Sequence, residues 1–375
     1  MSADPRAKRG DEGAAPRDET RTHMDEKLAD FTPAWWLRGR HAQTTWGRLA
    51  RPRRRVSLRR EALIAPDGDT LLVDHVDGPV SGNMRAADAD DAPRLLVLHG
   101  LEGSSNSVYV QGLLALAAQA GFRGSVLNFR YCARDARDLE SCIPNERPRL
   151  YHSGETSDFD FVARTLSARD GRPLFAAGVS LGGNALLKWL GEHPGDPTVS
   201  AAATLSVPYD LAAGDQYMAS FPTKLYVRAF VKTLTGKAED LVRRFPDAAA
   251  RIDLVRARRA YTFREVDDAA TAPLHGFAGA DDYYARSSSL GFLHGITVPT
   301  LCISALDDPF LPPEATLRAR DAASSAVRFV VTERGGHAGF VAARGLTPVY
   351  WAEEAILAFL ARHAGARGTG ETAGG

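Results

Sequence analysis

The sequence predicts an α/β protein with a mainly parallel, eight-stranded type of sheet that is covered by helices on both faces. Short β-branched or Leu-rich runs alternate with helical stretches, which is the pattern of such sheets. Each apolar run is followed by a loop with polar or glycine residues, where a ligand can bind. The 375 residues, 44% of them hydrophobic and 25% charged, suit one large globular domain with an insertion.

The first two predicted strands, 61–64 and 70–74, flank a turn at Asp67-Gly68 and are typical of an antiparallel hairpin at one sheet edge. Six further runs have the length and composition of buried parallel strands. They are residues 95–98, 125–129, 174–179, 201–207, 300–304 and 327–332. Helical patterns follow at 185–190 and 349–360.

The alternation stops between residues 209 and 295, where helix formers and aromatics dominate and no parallel strand is predicted. We expect a helical cap inserted into a single α/β domain that spans residues 26–363. The polar segments 1–25 and 364–375 have no hydrophobic period and are expected to be disordered tails. The chain lacks a secretory signal pattern and a long apolar run, so a cytoplasmic enzyme is expected.

Composition and motifs exclude several classes of function. The 46 Lys and Arg residues balance 46 Asp and Glu residues, so no overall charge favours nucleic acid. The three cysteines form no C-x-x-C pair, and the ten histidines show no metal-ligand spacing. Neither a P-loop nor a strand-linked G-x-G-x-x-G is present. We therefore expect no metal and no cofactor.

Gly178-Val179-Ser180-Leu181-Gly182 matches the G-x-S-x-G nucleophile elbow, with an apolar strand before it and a helical pattern after it. Small residues are needed there because the sharp turn brings neighbouring backbone close to the serine. The elbow and its context predict the α/β-hydrolase fold with Ser180 as the nucleophile. An incidental serine in a glycine-rich turn is the weaker interpretation.

A serine nucleophile needs a general base and an acid that orients the base, and in this fold the chain order is Ser, acid, His. His337 follows the run 327–332 and two glycines, which makes it the predicted base. Asp308 follows the run 300–304 and is the preferred acid because the Asp-Pro step fixes a turn. Asp307 is the alternative.

The tetrahedral intermediate of acyl transfer needs two backbone donors. One is expected from the N-H of Leu181, directly after the nucleophile. The other is expected from the N-H of Leu101, in the segment His99-Gly100-Leu101-Glu102-Gly103 after an early strand. His99 itself is interpreted as a structural residue of this loop.

These motifs, together with further separated segments in the same order, resemble the YheT/EMB8-like α/β-hydrolases, a group that includes the animal ABHD1/ABHD3-type proteins. Trp36 to Thr44, Asn128-Phe129-Arg130, Asp281-Asp282-Tyr283-Tyr284 and Gly335 to Phe340 are among those segments. The likeness covers residues from about 31 to 363. One departure is Tyr131, where the group tends to have glycine.

The resemblance implies a carboxylesterase or lipase-like activity on medium-chain acyl esters or phospholipids, with the triad on Ser180, Asp308 and His337. The expected partner is a small-molecule ester or lipid, with peripheral membrane contact at most, no nucleic acid, and an open oligomeric state. Acyl transfer by the same triad and a non-catalytic binding protein on the same fold are the alternatives. Acyl transfer differs from hydrolysis in that water is kept from the acyl-enzyme. In a binding protein, Ser180 would not react at all.

Overall fold

A computed structural model describes residues 31–52, 56–77 and 92–368; the N-terminal tail expected at 1–25 lies outside this range. Eight strands form the main sheet and two form a small hairpin. They are β1 (Leu58–Ile64), β2 (Thr70–Val76), β3 (Arg94–Leu98), β4 (Arg123–Asn128), β5 (Leu174–Val179), β6 (Ala201–Leu205), β7 (Thr300–Ala305), β8 (Val327–Thr332), β9 (Val341–Arg344) and β10 (Thr347–Tyr350).

The main sheet has the order β1-β2-β4-β3-β5-β6-β7-β8. β1 pairs antiparallel with β2, and β2 pairs antiparallel with β4, whereas all pairs from β4 to β8 are parallel. This confirms the predicted mainly parallel eight-stranded sheet and the antiparallel hairpin at its edge. Because β3, β5, β7 and β8 are parallel, the loops after them all leave from one rim of the sheet.

Thirteen α-helices are found in the described part of the chain. They are α1 (Arg40–Leu49), α2 (Val108–Gln119), α3 (Ser157–Ala168), α4 (Leu181–Glu192), α5 (Leu211–Met218), α6 (Lys224–Arg244), α7 (Pro246–Ala249), α8 (Leu254–Arg259), α9 (Phe263–Val266), α10 (Ala272–Leu274), α11 (Ala280–Ser287), α12 (Pro313–Ala322) and α13 (Trp351–Gly368). A π-helical turn at Asp267–Thr271 and a 3-10 helix at Ser289–Gly295 complete the set.

The two faces of the sheet bury separate hydrophobic cores. Along β3, Leu96 and Leu98 pack in one core with side chains of α3 and α4, whereas Leu95 and Val97 pack in the other with side chains of α2 and α13. Successive side chains of a strand point to opposite faces, so a strand that is covered on both sides is apolar at every position. Burial on both faces of the sheet therefore explains why the strands form continuous apolar runs in the sequence.

The connection from β6 to β7 contains helices, turns and irregular segments, and no residue between 206 and 299 is in a strand. It begins with α5 and ends with the 3-10 helix Ser289–Gly295. Its long helix α6 buries Ala238 and Leu241 against Ile252 and Leu274 of the same insertion. The insertion therefore has a small core of its own beside the sheet.

Both predicted ends of the C-terminal helical region differ from the structure. The helix predicted from residue 349 begins at Trp351, because Val349 belongs to the hairpin β9–β10, whose turn places Gly345 at φ 65°. The same helix continues to Gly368, past the tail boundary expected at residue 364. Ala364 packs against the core, and alanine is the strongest helix former, so the helix extends. Residues 369–375 lie outside the described range.

Gln43 of α1 ties the N-terminal segment to β9. Its fully buried amide Nε2 donates to the carbonyls of Leu37 (2.7 Å) and Val341 (3.0 Å), and its Oε1 accepts from the Val341 N-H at 2.7 Å. This one side chain satisfies three buried backbone groups on two segments that are far apart in the chain.

Replacing Gln43 with leucine removes these three hydrogen bonds. The Val341 carbonyl keeps the Ala34 N-H at 2.9 Å, whereas the Leu37 carbonyl and the Val341 N-H lose their bonds to the amide. We expect the Gln43→Leu variant to lose about 2–4 kcal/mol in its free energy of unfolding, since each unsatisfied buried group costs about 1–3 kcal/mol. Urea unfolding followed by tryptophan fluorescence measures the loss. Gln119→Leu, at an exposed helix end, is the control and is expected to change the free energy by less than about 0.5 kcal/mol. Equal stabilities of the two variants would contradict this role of Gln43.

Candidate active site

Ser180 lies at the turn between β5 and α4 in a strained backbone conformation. Its φ of 54° and ψ of −119° are outside the regions that L-residues favour, at a cost of order 1–3 kcal/mol. The neighbouring glycines explain how the turn is packed. A Cβ on Gly178 would lie 2.6 Å from the Gly182 carbonyl oxygen, and a Cβ on Gly182 would lie 2.5 Å from that of His99. The predicted need for small residues at the elbow therefore has a direct steric basis.

The three side chains predicted as a triad are joined by hydrogen bonds. His337 Nε2 lies 3.0 Å from Ser180 Oγ, and His337 Nδ1 lies 2.8 Å from Asp308 Oδ2. Asp308 is completely buried, and its other oxygen accepts from the Phe310 N-H at 2.8 Å. With Nδ1 donating to the carboxylate, Nε2 is free to accept a proton from the serine.

Asp307, the alternative acid, has a different contact. Its Oδ1 accepts from the N-H of Gly336 at 2.9 Å, so it braces the loop that carries His337 and does not contact the imidazole. Burial raises the pKa of the Asp307 carboxyl, while the N-H groups of Gly336 and Gly335 partly oppose that rise. The structure thus brings Asp308, the preferred residue, to the histidine.

Three further residues hold the His337 loop, and the sequence analysis did not assign them. Thr44 Oγ1 of α1 accepts from the His337 N-H at 2.9 Å, and Ser206 Oγ accepts from the Ala338 N-H at 2.9 Å. The Phe310 ring packs against the imidazole, with a centroid separation of 4.6 Å. Thr44 lies at the end of the segment Trp36 to Thr44, which is one of the segments that carry the family resemblance. The resemblance therefore pointed to this segment, but the sequence did not reveal the contact between Thr44 and His337.

The loop after β3 packs directly on the elbow. A Cβ on Gly100 would lie 3.3 Å from Ser180 Cβ. The N-H groups around Leu101 are occupied: Gly100 donates to Tyr109 Oη at 2.8 Å, and Glu102 donates to Tyr151 Oη at 2.9 Å. Within the described chain, the Leu101 N-H has no intramolecular acceptor.

Leu181 provides the second predicted donor. It is the first residue of α4, and the N-H groups of a first helical turn have no partner inside the helix. They also carry the positive end of the helix dipole, which stabilises a nearby negative charge. Both predicted donors therefore lie in the segments that meet at Ser180.

His99 is fully buried and bonds only within its loop and the neighbouring strand end. Its Nε2 accepts from the Phe129 N-H at 3.1 Å, and Nδ1 lies 2.8 Å from the Gly100 carbonyl oxygen, which makes Nδ1 the protonated nitrogen. Burial lowers the pKa of His99 to about 4, so the ring is neutral near pH 7. These contacts match the structural interpretation of His99.

Across the described ranges, no group of three or more His, Cys, Asp or Glu side chains could hold a metal ion. No helix in those ranges is both long enough and apolar enough to cross a bilayer.

Residues 93–342 match the family model described as the alpha/beta hydrolase fold. The chain belongs to the α/β-hydrolase family. It is similar to a protein of Escherichia coli named putative esterase YheT, with 35% identity over 88% of this chain and 92% of that protein. It is also similar to the mouse phospholipase ABHD3, with 30% identity over 85% of this chain and 75% of that protein. The resemblance to the YheT/EMB8-like group is thereby confirmed.

A solved structure of the Pyrococcus furiosus esterase Pf2001 has a similar fold. The TM-score is 0.52 at 15% identity, and the match covers 84% of this chain and 97% of that one. At this level of identity the likeness concerns the fold alone.

The contact between Thr44 and His337 predicts an effect on any chemistry that depends on the position of the imidazole. Replacement of Thr44 by the isosteric valine leaves the His337 N-H without its acceptor and frees the loop. We expect kcat/KM for an ester substrate to fall about tenfold, since small displacements of a reacting group are costly. Steady-state kinetics with p-nitrophenyl butyrate measures the change.

The matched control is Thr45→Val, because the Thr45 hydroxyl donates only to the His41 carbonyl of its own helix, at 2.8 Å. This variant is expected to keep the kcat/KM of the unmodified protein. Equal kinetics for the two variants would remove Thr44 from the support of His337.

Proposed function

We propose that this protein hydrolyses carboxylic esters through an acyl-enzyme formed on Ser180. The observation that carries the proposal is the continuous hydrogen-bonded path from Asp308 through His337 to Ser180 Oγ at a strained elbow. A serine hydroxyl is a poor nucleophile unless a base removes its proton, and this path provides the base and the acid that orients it.

In the proposed first step, His337 Nε2 takes the proton of Ser180 while Oγ attacks the ester carbonyl carbon. The carbonyl oxygen becomes an oxyanion that the N-H groups of Leu101 and Leu181 stabilise. The intermediate collapses, the C–O bond to the alcohol breaks, and His337 returns the proton to the leaving alcohol. A water molecule then repeats the sequence on the acyl-enzyme, which releases the carboxylic acid and restores Ser180.

The insertion at residues 209–295 is proposed to act as a cap over this site. Thr223 Oγ1, just before α6, donates to the Pro309 carbonyl at 3.2 Å beside the proposed acid. Tyr226 of α6 packs against Phe310 with a centroid separation of 5.3 Å. The cap thus contacts the loop of Asp308, and the proposed substrate is a short- or medium-chain acyl ester or a lipid, in keeping with relatives named as an esterase and a phospholipase.

The nucleophile is tested by the Ser180→Ala variant. We expect kcat for p-nitrophenyl esters to fall at least about 10⁴-fold and labelling by a fluorophosphonate probe to disappear, because no other group replaces the serine. Ser141→Ala, at an exposed loop position, is the control and should keep both properties. Turnover and labelling that survive in Ser180→Ala would refute the proposal. A panel of acyl chain lengths gives the substrate range at the same time.

The acid is tested by comparing two neighbouring carboxylates. Asp308→Asn removes the charge that holds the His337 tautomer, and kcat is expected to fall about 10⁴-fold. Asp307→Asn removes a charge but keeps a side-chain oxygen that can accept from the Gly336 N-H, so a loss below about tenfold is expected. The same kinetic assay measures both variants. The opposite order of losses would transfer the role of acid to Asp307.

A further inference from the structure

Helix α6 of the insertion contacts the loop that carries Leu101 through an ion pair. Lys237 Nζ lies 2.6 Å from Glu102 Oε1, and the two side chains are only 8% and 11% exposed. Glu102 directly follows Leu101, the residue whose N-H is the proposed oxyanion donor. Lys237 is 14 positions beyond Thr223, which contacts the acid loop, so one helix reaches both loops over roughly 20 Å.

Tyr151 fixes the orientation of Glu102 at two points. Its hydroxyl donates to Glu102 Oε1 at 2.7 Å and accepts from the Glu102 N-H at 2.9 Å. The Tyr151 ring stacks on Phe129, with an interplanar angle of 11°. Burial, together with the nearby Cys132 and Glu102, raises the pKa of the Tyr151 hydroxyl well above its ordinary value, so the hydroxyl keeps the proton that it donates.

Charge also favours the pair. Burial lowers the pKa of Lys237, but the neighbouring Cys132 and Glu102 outweigh this effect and the pKa is raised overall. Burial raises the pKa of the Cys132 thiol to about 11, so the thiol 3.4 Å from Lys237 Nζ is neutral near pH 7. Lys237 is therefore an ammonium group. Without it, a nearly buried carboxylate would keep only the Tyr151 hydroxyl as a side-chain donor, which is costly.

The backbone of Glu102 depends on these side-chain contacts. Its φ is 57°, in the left-handed region that non-glycine residues seldom adopt. Such a conformation persists only when surrounding contacts hold it. The peptide groups that flank the Glu102 Cα carry the Leu101 carbonyl and the N-H groups of Glu102 and Gly103. The Leu101 N-H belongs to the next peptide group along the chain, so relaxation at Glu102 would displace this N-H through Leu101.

We propose that Lys237 is a positioning residue that holds the oxyanion loop through Glu102, so that the Leu101 N-H points at the reacting carbonyl only when the insertion is seated. The inference rests on the proposed ester hydrolysis and adds to it a coupling between cap and oxyanion loop. Lys237 does not touch the reacting atoms. Its loss is therefore a loss of transition-state stabilisation and not of the nucleophile.

The test compares Lys237→Met with the unmodified protein. Methionine keeps an unbranched apolar chain in the same space but removes the charge. We expect kcat for p-nitrophenyl butyrate to fall about 10- to 100-fold, less than the loss of a whole oxyanion donor, while KM changes less than about threefold. Inhibition by an alkyl trifluoromethyl ketone, whose adduct on serine carries an oxyanion, should weaken by the same factor as kcat/KM.

Three variants complete the design. Glu102→Gln removes the other charge of the pair and is expected to show the same fall in kcat and the same weakening of ketone inhibition. This variant replaces Lys237→Met in the test if Lys237→Met does not fold. Lys237→Arg restores a cation and should recover part of kcat. Lys232→Met, at an exposed position of the same helix, should match the unmodified protein in kcat, KM and ketone inhibition.

The outcomes separate a positioning role from a structural one. A lower melting temperature in Lys237→Met and Glu102→Gln with unchanged kcat and unchanged ketone inhibition would overturn the inference. Absence of ester turnover in the unmodified protein would instead overturn the proposed function on which the inference rests. Parallel losses in kcat/KM and ketone affinity, without a matching rise in KM, support the coupling.

Discussion

The structure of this site depends on one hydrogen bond, between His337 Nε2 and Ser180 Oγ, whose residues are 157 positions apart in the chain. The parallel sheet makes this contact available because β5 and β8 end at the same rim. The elbow then projects the serine from that rim at the expense of a strained φ, and the glycines on both sides allow the close packing that holds it. The proposed catalysis follows from this arrangement, since neither side chain would react in this way alone.

The contacts around this bond extend outward in layers. Asp308 and Phe310 hold the imidazole from the β7 loop, and Thr44 holds its backbone from α1. Helix α6 contacts the β7 loop at Phe310 and the β3 loop at Glu102. The insertion therefore touches two of the loops that the proposed mechanism uses. A segment that covers a site and also supports its geometry can couple substrate entry to reactivity. The proposal for Lys237 is a coupling of this kind.

The parallel strands and the elbow were predictable because their signals are local. β5 is buried at every position and reads as a continuous apolar run, and the strand at 327–332 was predicted with its observed bounds. The strand predicted to reach residue 207 ends at Leu205, since Ser206 adopts a φ of 52° that an extended chain cannot continue through. The hairpin β9–β10 was missed because its strands have only four residues each.

Contacts between distant segments were not predictable in the same way. Adjacent carboxylates at 307 and 308 look equivalent in a sequence, and only the turn decides which one meets the histidine. The pair of Lys237 and Glu102 joins positions 135 apart, and nothing in the local pattern of either residue indicates it. At Tyr131 the φ of 66° lies in the left-handed region that favours glycine, so the tyrosine bears a strain of about 1–2 kcal/mol.

In the proposed mechanism, Ser180 attacks a carbonyl whose oxygen accepts hydrogen bonds from the N-H groups of Leu101 and Leu181. The most direct measurement is a crystal structure of the protein after reaction with an alkyl fluorophosphonate, whose adduct resembles the tetrahedral intermediate. We expect a bond from Ser180 Oγ to phosphorus and a phosphoryl oxygen about 2.7–3.1 Å from both backbone nitrogens. An adduct on another residue, or a phosphoryl oxygen directed away from both N-H groups, would contradict it.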